Sequence, residues 1–142
     1  MTELRYLLDT DICIYIINRQ PAEVRDRFAH LAPGSVGISV VTYHELYFGA
    51  LQSRHTEKNL QALQQLTQRV PALPWSTEAA IQTARLRLAL KRRGQPIGSW
   101  DMQIAGHALA LNLELVTNNI REFGRIEHLR VETWVKPNAK TS

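Results

Sequence analysis

Apolar positions along the chain follow two periods. Short apolar runs bounded by polar or turn-forming residues read as buried strands: Tyr6-Leu7-Leu8, Val36 to Val41, Leu113 to Thr117 and Val131 to Val135. Leu73 to Trp75 is a weaker candidate, because Pro71 and Pro74 confine it to an edge or a connection. Longer segments between these runs carry a helical period. Ile12 to Asn18 follows the first run directly, and Pro21 opens a second helix with Val24, Phe28 and Leu31 on one face. Thr42 to Gln52 carries Leu46 and Ala50, and Glu57 to Val70 carries Leu60, Leu63, Leu66 and Val70. Glu78 to Arg93 places Ile81, Ala84 and Leu88 on one face, with Leu86 and Leu90 beside it. Trp100 to Leu111 is apolar and alanine-rich, the pattern of a buried helix. Strands alternating with helices predict parallel βαβ units: a three-layer α/β/α domain around a central parallel sheet of four or five strands.

Composition bounds this picture. A chain of 142 residues suits one hydrophobic core, and no repeat, linker or composition break divides it. A single domain over residues 1–137 is expected, followed by a polar tail at 138–142. One cysteine, Cys13, cannot form an internal disulfide and suits a reducing compartment. The apolar stretch from Ile12 to Ile17 is far shorter than the ~20 residues of a membrane span, and no signal-peptide pattern surrounds it. The expected location is cytoplasmic. Lys and Arg outnumber Asp and Glu by 17 to 13, and the excess is local. No acid falls between Glu78 and Asp101, where Arg85, Arg87, Lys91, Arg92 and Arg93 cluster. Such a patch attracts phosphates, although a solvated helix end has the same composition.

Four acids fall just beyond the predicted strands. Asp9 ends the first, Glu45 follows Val36 to Val41, Asp101 opens the alanine-rich helix, and Glu122 follows Leu113 to Thr117. In an open parallel sheet, ligands bind beyond the carboxyl ends of the strands. Carboxylates gathered there repel one another and call for a hard divalent cation, Mg²⁺ or Mn²⁺. Each also has a structural alternative: a capping box at Thr42-Tyr43-His44-Glu45, a helix-dipole role for Asp101 behind Ser99, an Asx-turn or cap at Asp9, and solvation of Glu122 between arginines. His107 and His44 read as structural rather than as ligands.

The residues also resemble a known family. Tyr6-Leu7-Leu8-Asp9-Thr10-Asp11-Ile12 and Val41 to Ala50 are similar to the first two signatures of PIN-domain ribonucleases. Gly94 to Ala108, with Ser99-Trp100-Asp101 inside it, resembles the third, and Leu115-Val116-Thr117-Asn118-Asn119-Ile120-Arg121-Glu122-Phe123 the fourth. The branch most resembled is that of VapC toxins from bacterial toxin–antitoxin modules. The resemblance implies a PIN-like fold and Mg²⁺- or Mn²⁺-dependent hydrolysis of RNA leaving a 5′-phosphate and a 3′-hydroxyl. It favours tRNA as substrate, with the initiator tRNA anticodon loop as the leading target. By position, Asp9, Glu45 and Asp101 match the family's metal-binding acids. Glu122 takes the fourth acidic position with Asn119 beside it, and Asp11 replaces a frequent Asn.

Thr10, Thr117 and Asn118 are candidates to bond the metal's surroundings or the phosphate. Arg85, Lys91, Arg92 and Arg93 are candidates for the RNA backbone, and Trp100 for base stacking or rim packing. Homodimerisation, a VapB-like antitoxin and operator DNA reached only through that antitoxin are further implications of the resemblance. Two competing readings stand. Asp9-Thr10-Asp11 after a strand also resembles the nucleophile motif of haloacid-dehalogenase phosphatases, although Cys13 and Asn118-Asn119 depart from it. The chain could alternatively be a non-catalytic basic nucleic-acid-binding module.

Overall fold

The computed structural model describes residues 3–137. Its sheet is five-stranded and wholly parallel, formed by β1 (Tyr6–Leu8), β2 (Val36–Ser39), β3 (Ala72–Leu73), β4 (Glu114–Val116) and β5 (Val131–Glu132). The spatial order is β3-β2-β1-β4-β5. The chain therefore builds outward from β1 in one direction, then returns to build outward in the other. The reversal falls between β1 and β4, where open parallel sheets leave a crevice at their carboxyl ends. The α/β architecture expected from the alternating pattern, helices around a central parallel sheet of four or five strands, is the one observed.

Helices cover both faces. They are α1 (Thr10–Asn18), α2 (Ala22–Ala29), α3 (Val40–Gln52), α4 (Thr56–Arg69), α5 (Thr77–Arg92), α6 (Ser99–Leu111) and the short α7 (Ile120–Phe123). Alternation along β1 divides the core. Tyr6 and Leu8 pack with Ile12, Val24, Leu63 and Leu66 from α1, α2 and α4. Leu7 points the other way, among Leu86, Leu90, Ile104, Ala105 and Ala108 from α5 and α6. Gly106 is what allows α5 and α6 to meet. A Cβ there would collide with the Thr83 side chain and stand 2.9 Å from its Cα.

Several boundaries differ from expectation. The strand predicted to reach Val41 ends at Ser39, whose side chain accepts from the Val41 N–H and starts α3 at Val40. β-branched residues at 40 and 41 imitate a strand locally, but the cap decides. Thr42 is thus buried inside α3, and the capping box proposed for Glu45 does not form. Pro21 is the N-cap of α2 rather than its first residue, and Gly98 rather than Ser99 caps α6. On α5 the predicted inner face is turned outward. Ile81 and Leu88 are exposed, whereas Ala79, Leu86 and Leu90 are buried. Along α6 only Ile104 to Ala108 is fully buried, and Trp100 and Leu111 at its ends are exposed. The predicted tail at 138–142 lies outside the described residues. Among the described residues, no helix is long and apolar enough to cross a membrane.

Candidate active site

The acids are delivered to the β1/β4 crevice by separate elements. Asp9 is the residue after β1 and the N-cap of α1: its Oδ1 accepts from the Thr10 N–H at 2.8 Å. The capping alternative is thus real for this residue, but it uses only one oxygen. The other, Oδ2, accepts from the Thr117 hydroxyl at 2.7 Å, which joins the ends of β1 and β4. Asp11 in the first turn of α1 makes a similar bridge. Its Oδ1 accepts from the Ile12 N–H at 2.7 Å and its Oδ2 from the Asn118 N–H at 2.9 Å. Glu45 sits inside α3 and accepts from the Thr10 hydroxyl at 3.2 Å. Asp101 lies in the first turn of α6. Glu122 on α7 accepts from the Asn119 side-chain amide at 3.0 Å, and the Asn119 N–H donates to Thr117 Oγ1 at 3.0 Å.

Electrostatics shows that these groups share one space. Burial pushes Asp9 up to about 7, neighbouring Asp11 and Asp101 push the same way, and the hydrogen bonds from Thr117 and Thr10 oppose them. Asp101 is pushed up to about 6, by burial and then by the charges of Glu122, Glu45 and Asp11. Burial also raises Asp11 and Glu45, the latter held back by the Thr10 hydrogen bond and by His44. Among the described residues, the ion pairs are Arg25–Asp26, Arg27–Glu132 and Arg93–Glu127, so no salt bridge reaches the cluster and His44 beside Glu45 is the one cationic side chain seen to act on it.

An all-oxygen donor set of crowded, uncompensated carboxylates fits a hard divalent cation of the Mg²⁺ or Mn²⁺ type. The side chains do not form a closed ligand shell as they stand. Among the described residues, no three carboxylates, imidazoles or thiols converge tightly enough to hold one ion. Thr10 and Thr117 occupy oxygens of Glu45 and Asp9, so ligation requires these carboxylates to turn toward a common point.

The remaining candidates separate. Thr10, Thr117 and Asn118 are in the network described. Trp100 is exposed beside Asp101, edge-on to His44 with ring centroids 5.0 Å apart, so it packs on the rim and keeps an open face. Arg85, Lys91 and Arg92 are exposed on α5, with no bond to the acids. Arg93 is tied elsewhere: it donates to the Arg125 carbonyl and lies 3.8 Å from Glu127. His107 is structural, as expected. It is fully buried, with Nδ1 2.8 Å from Ser39 Oγ, so it joins α6 to the cap of α3. Burial lowers its pKa, and the Pro74 carbonyl offsets part of that shift. Sequence reasoning missed the groove that leaves the acid cluster between α1, α3 and α4, lined by Ile14, Leu46 and Gly49 among others. Its one sequence signal is Gly49, in the last turn of α3.

The PIN domain family model matches residues 6–129. A tRNA(fMet)-specific endonuclease VapC of Shigella flexneri is 44% identical over 92% of this chain and 98% of its own length. The crystal structure of DNA-bound VapBC from Salmonella typhimurium superposes with a TM-score of 0.88 at 42% identity, covering 93% of this chain and 99% of the other. VapBC-1 from nontypeable Haemophilus influenzae gives 0.86 at 37% identity, covering 94% and 100%. The chain belongs to the PIN-domain family and, within it, to the VapC group.

Proposed function

We propose that this chain is the toxin of a toxin–antitoxin pair: an endoribonuclease that hydrolyses RNA phosphodiester bonds with a divalent cation, its substrate a tRNA. The observation that carries the reading is the crowd of raised, uncompensated carboxylates at the β1/β4 crevice. The relative named as a tRNA(fMet)-specific endonuclease supports the substrate class, with initiator tRNA as the leading target. VapBC complexes among the similar structures support a VapB-like antitoxin partner. Operator DNA would be reached through that antitoxin. These nuclease relatives leave the phosphatase and non-catalytic readings without support.

Asp9 and Asp101 would hold the ion, with Glu45 and Glu122 beside them. When bound, Mg²⁺ or Mn²⁺ supplies polarisation of the scissile phosphate and acidification of a water. The chain's own residues supply position. Thr117 and the Thr10 N–H aim the two Asp9 oxygens, and the Thr10 hydroxyl aims Glu45. Asp11 anchors the loop after β4 through the Asn118 N–H, and Asn119 holds Glu122. Arg85, Lys91 and Arg92, exposed on α5, would attract the RNA backbone by charge. The exposed stripe of Ile81 and Leu88 on α5 suits the homodimer that the resemblance implies.

The test is incubation of the chain with total cellular RNA in Mg²⁺ or Mn²⁺, with cleavage ends mapped. Discrete cuts in tRNA that vanish in EDTA and in Asp9→Asn are expected. Cutting that survives EDTA, or an Asp9→Asn protein as active as wild type, overturns the reading.

A further inference from the structure

Gly49 stands exposed on α3, and no packing contact requires it to be glycine. It lies in the last turn of α3, ahead of the Ser53 C-cap, and its unfolded backbone is freer than alanine's. It is not among the residues with positive φ, so its conformation does not require it. A Cβ placed on it would meet no atom within 4 Å, so no neighbour requires it either. What its missing side chain does is keep a groove open. That groove has a volume of about 280 Å³; Ile17, Leu46 and Leu63 form its apolar walls, and the side-chain amides of Asn18 and Asn59 also line it. Thr10 and Glu45 of the acid cluster line it as well.

We infer that this groove receives one nucleobase of the RNA substrate, from a nucleotide adjoining the phosphate that the acids attack. The inference rests on the nuclease reading above and adds to it a site of sequence selection. Three features carry it. The groove is continuous with the acid cluster through Thr10 and Glu45, so its occupant is a neighbour of the group held there. Its walls are apolar, and Glu45 is the one charged residue in its lining, which suits the neutral faces of a base. Single-stranded RNA is read by splaying such bases into pockets and bonding their edges. Asn59 is also pre-set for this: its Nδ2 donates to Ser53 Oγ at 2.8 Å, which fixes the amide plane. Its carbonyl oxygen and second N–H are left as a paired acceptor and donor for a base edge.

The experiment compares wild type, Gly49→Leu and Asn59→Ala, first by anisotropy of a short, randomised single-stranded RNA in EDTA, where nothing is cut. Cleavage sites on the same RNA are then mapped in Mg²⁺. Gly49→Leu fills the groove and is expected to weaken binding by about fivefold or more, as the loss of one base's buried apolar contact would. Asn59→Ala is expected to change base preference at one position beside the cut. Thermal melting by circular dichroism checks the fold, since leucine is the better helix former. Wild-type binding and preference in both variants would overturn the inference and leave the groove to a protein segment. If wild type binds RNA without cutting it, the nuclease reading falls, and the binding comparison still decides the groove.

Discussion

The acidic crevice and the basic flank of α5 are built in opposite ways. The crevice takes its five carboxylates from α1 and its cap, α3, α6 and α7, and three of them, Asp9, Asp11 and Glu45, are held by hydrogen bonds from other elements. The flank takes its cations from one helix, where Arg85, Lys91 and Arg92 stand exposed and Arg93 alone is fastened, to the segment after α7. One region is placed by topology and depends on geometry. The other is placed by local sequence and depends on charge alone. Mutations in the two regions should therefore differ in kind as well as in size.

The largest effect is expected at Asp9. Asp9→Asn should reduce RNA cleavage by more than the ~10–100-fold usual for residues that only orient ligands, with the fold retained by circular dichroism. Thr117→Val, which removes the hydroxyl donated to Asp9, should fall within that ~10–100-fold range and weaken Mn²⁺ binding measured by calorimetry.

Proton linkage sharpens the contrast. Asp9 and Asp101, raised to about 7 and about 6, hold protons more tightly when folded than when unfolded. They support the fold below the ordinary carboxylate range and withdraw that support as pH climbs through 6 and 7. His107, lowered by burial, acts oppositely as pH falls, so the informative quantity is wild type minus Asp9→Asn. In the metal-free chain that difference in melting temperature should become more negative between pH 5 and pH 8, and excess Mg²⁺ should cancel it. Mg²⁺ affinity should rise roughly tenfold per pH unit for each proton released over the same interval.

The flank should respond more mildly. Neutralising Arg85, Lys91 and Arg92 together should raise KM with little change in kcat. It should also flatten the salt dependence of RNA binding by roughly 0.7 for each phosphate no longer neutralised, as titration in NaCl would show. Outside both regions, Gly106→Ala should cost about 1–3 kcal/mol in a denaturant titration, because it drives α5 from α6.

How much the sequence reveals follows the same division. The apolar run at residues 6–8 announces β1 because both of its faces are buried. The acids are legible because each stands next to an element end that periodicity can find. Their mutual proximity is legible only through the expected sheet order. Val40 and Val41 mislead because β-branching is local, whereas the Ser39 cap that starts α3 is bonded to His107 on another helix. The α5 stripe misleads for a different reason. Periodicity detects an apolar face, and α5 has two: Leu86 and Leu90 inward, Ile81 and Leu88 outward. A hydrophobic stripe does not record whether it meets its own core. The groove is invisible because its signal is an absence, the side chain that Gly49 lacks.

Threading order gives the sheet a bearing on biosynthesis. β4 slots in beside β1, the first strand made, and it is followed directly by the loop that engages Asp9 and Asp11. A ribosome that has translated only as far as α6 has made Asp9, Glu45 and Asp101 but not the Thr117 and Asn118 groups that fasten Asp9 and Asp11. The acid cluster is thus completed only when residues 117–122 have been made.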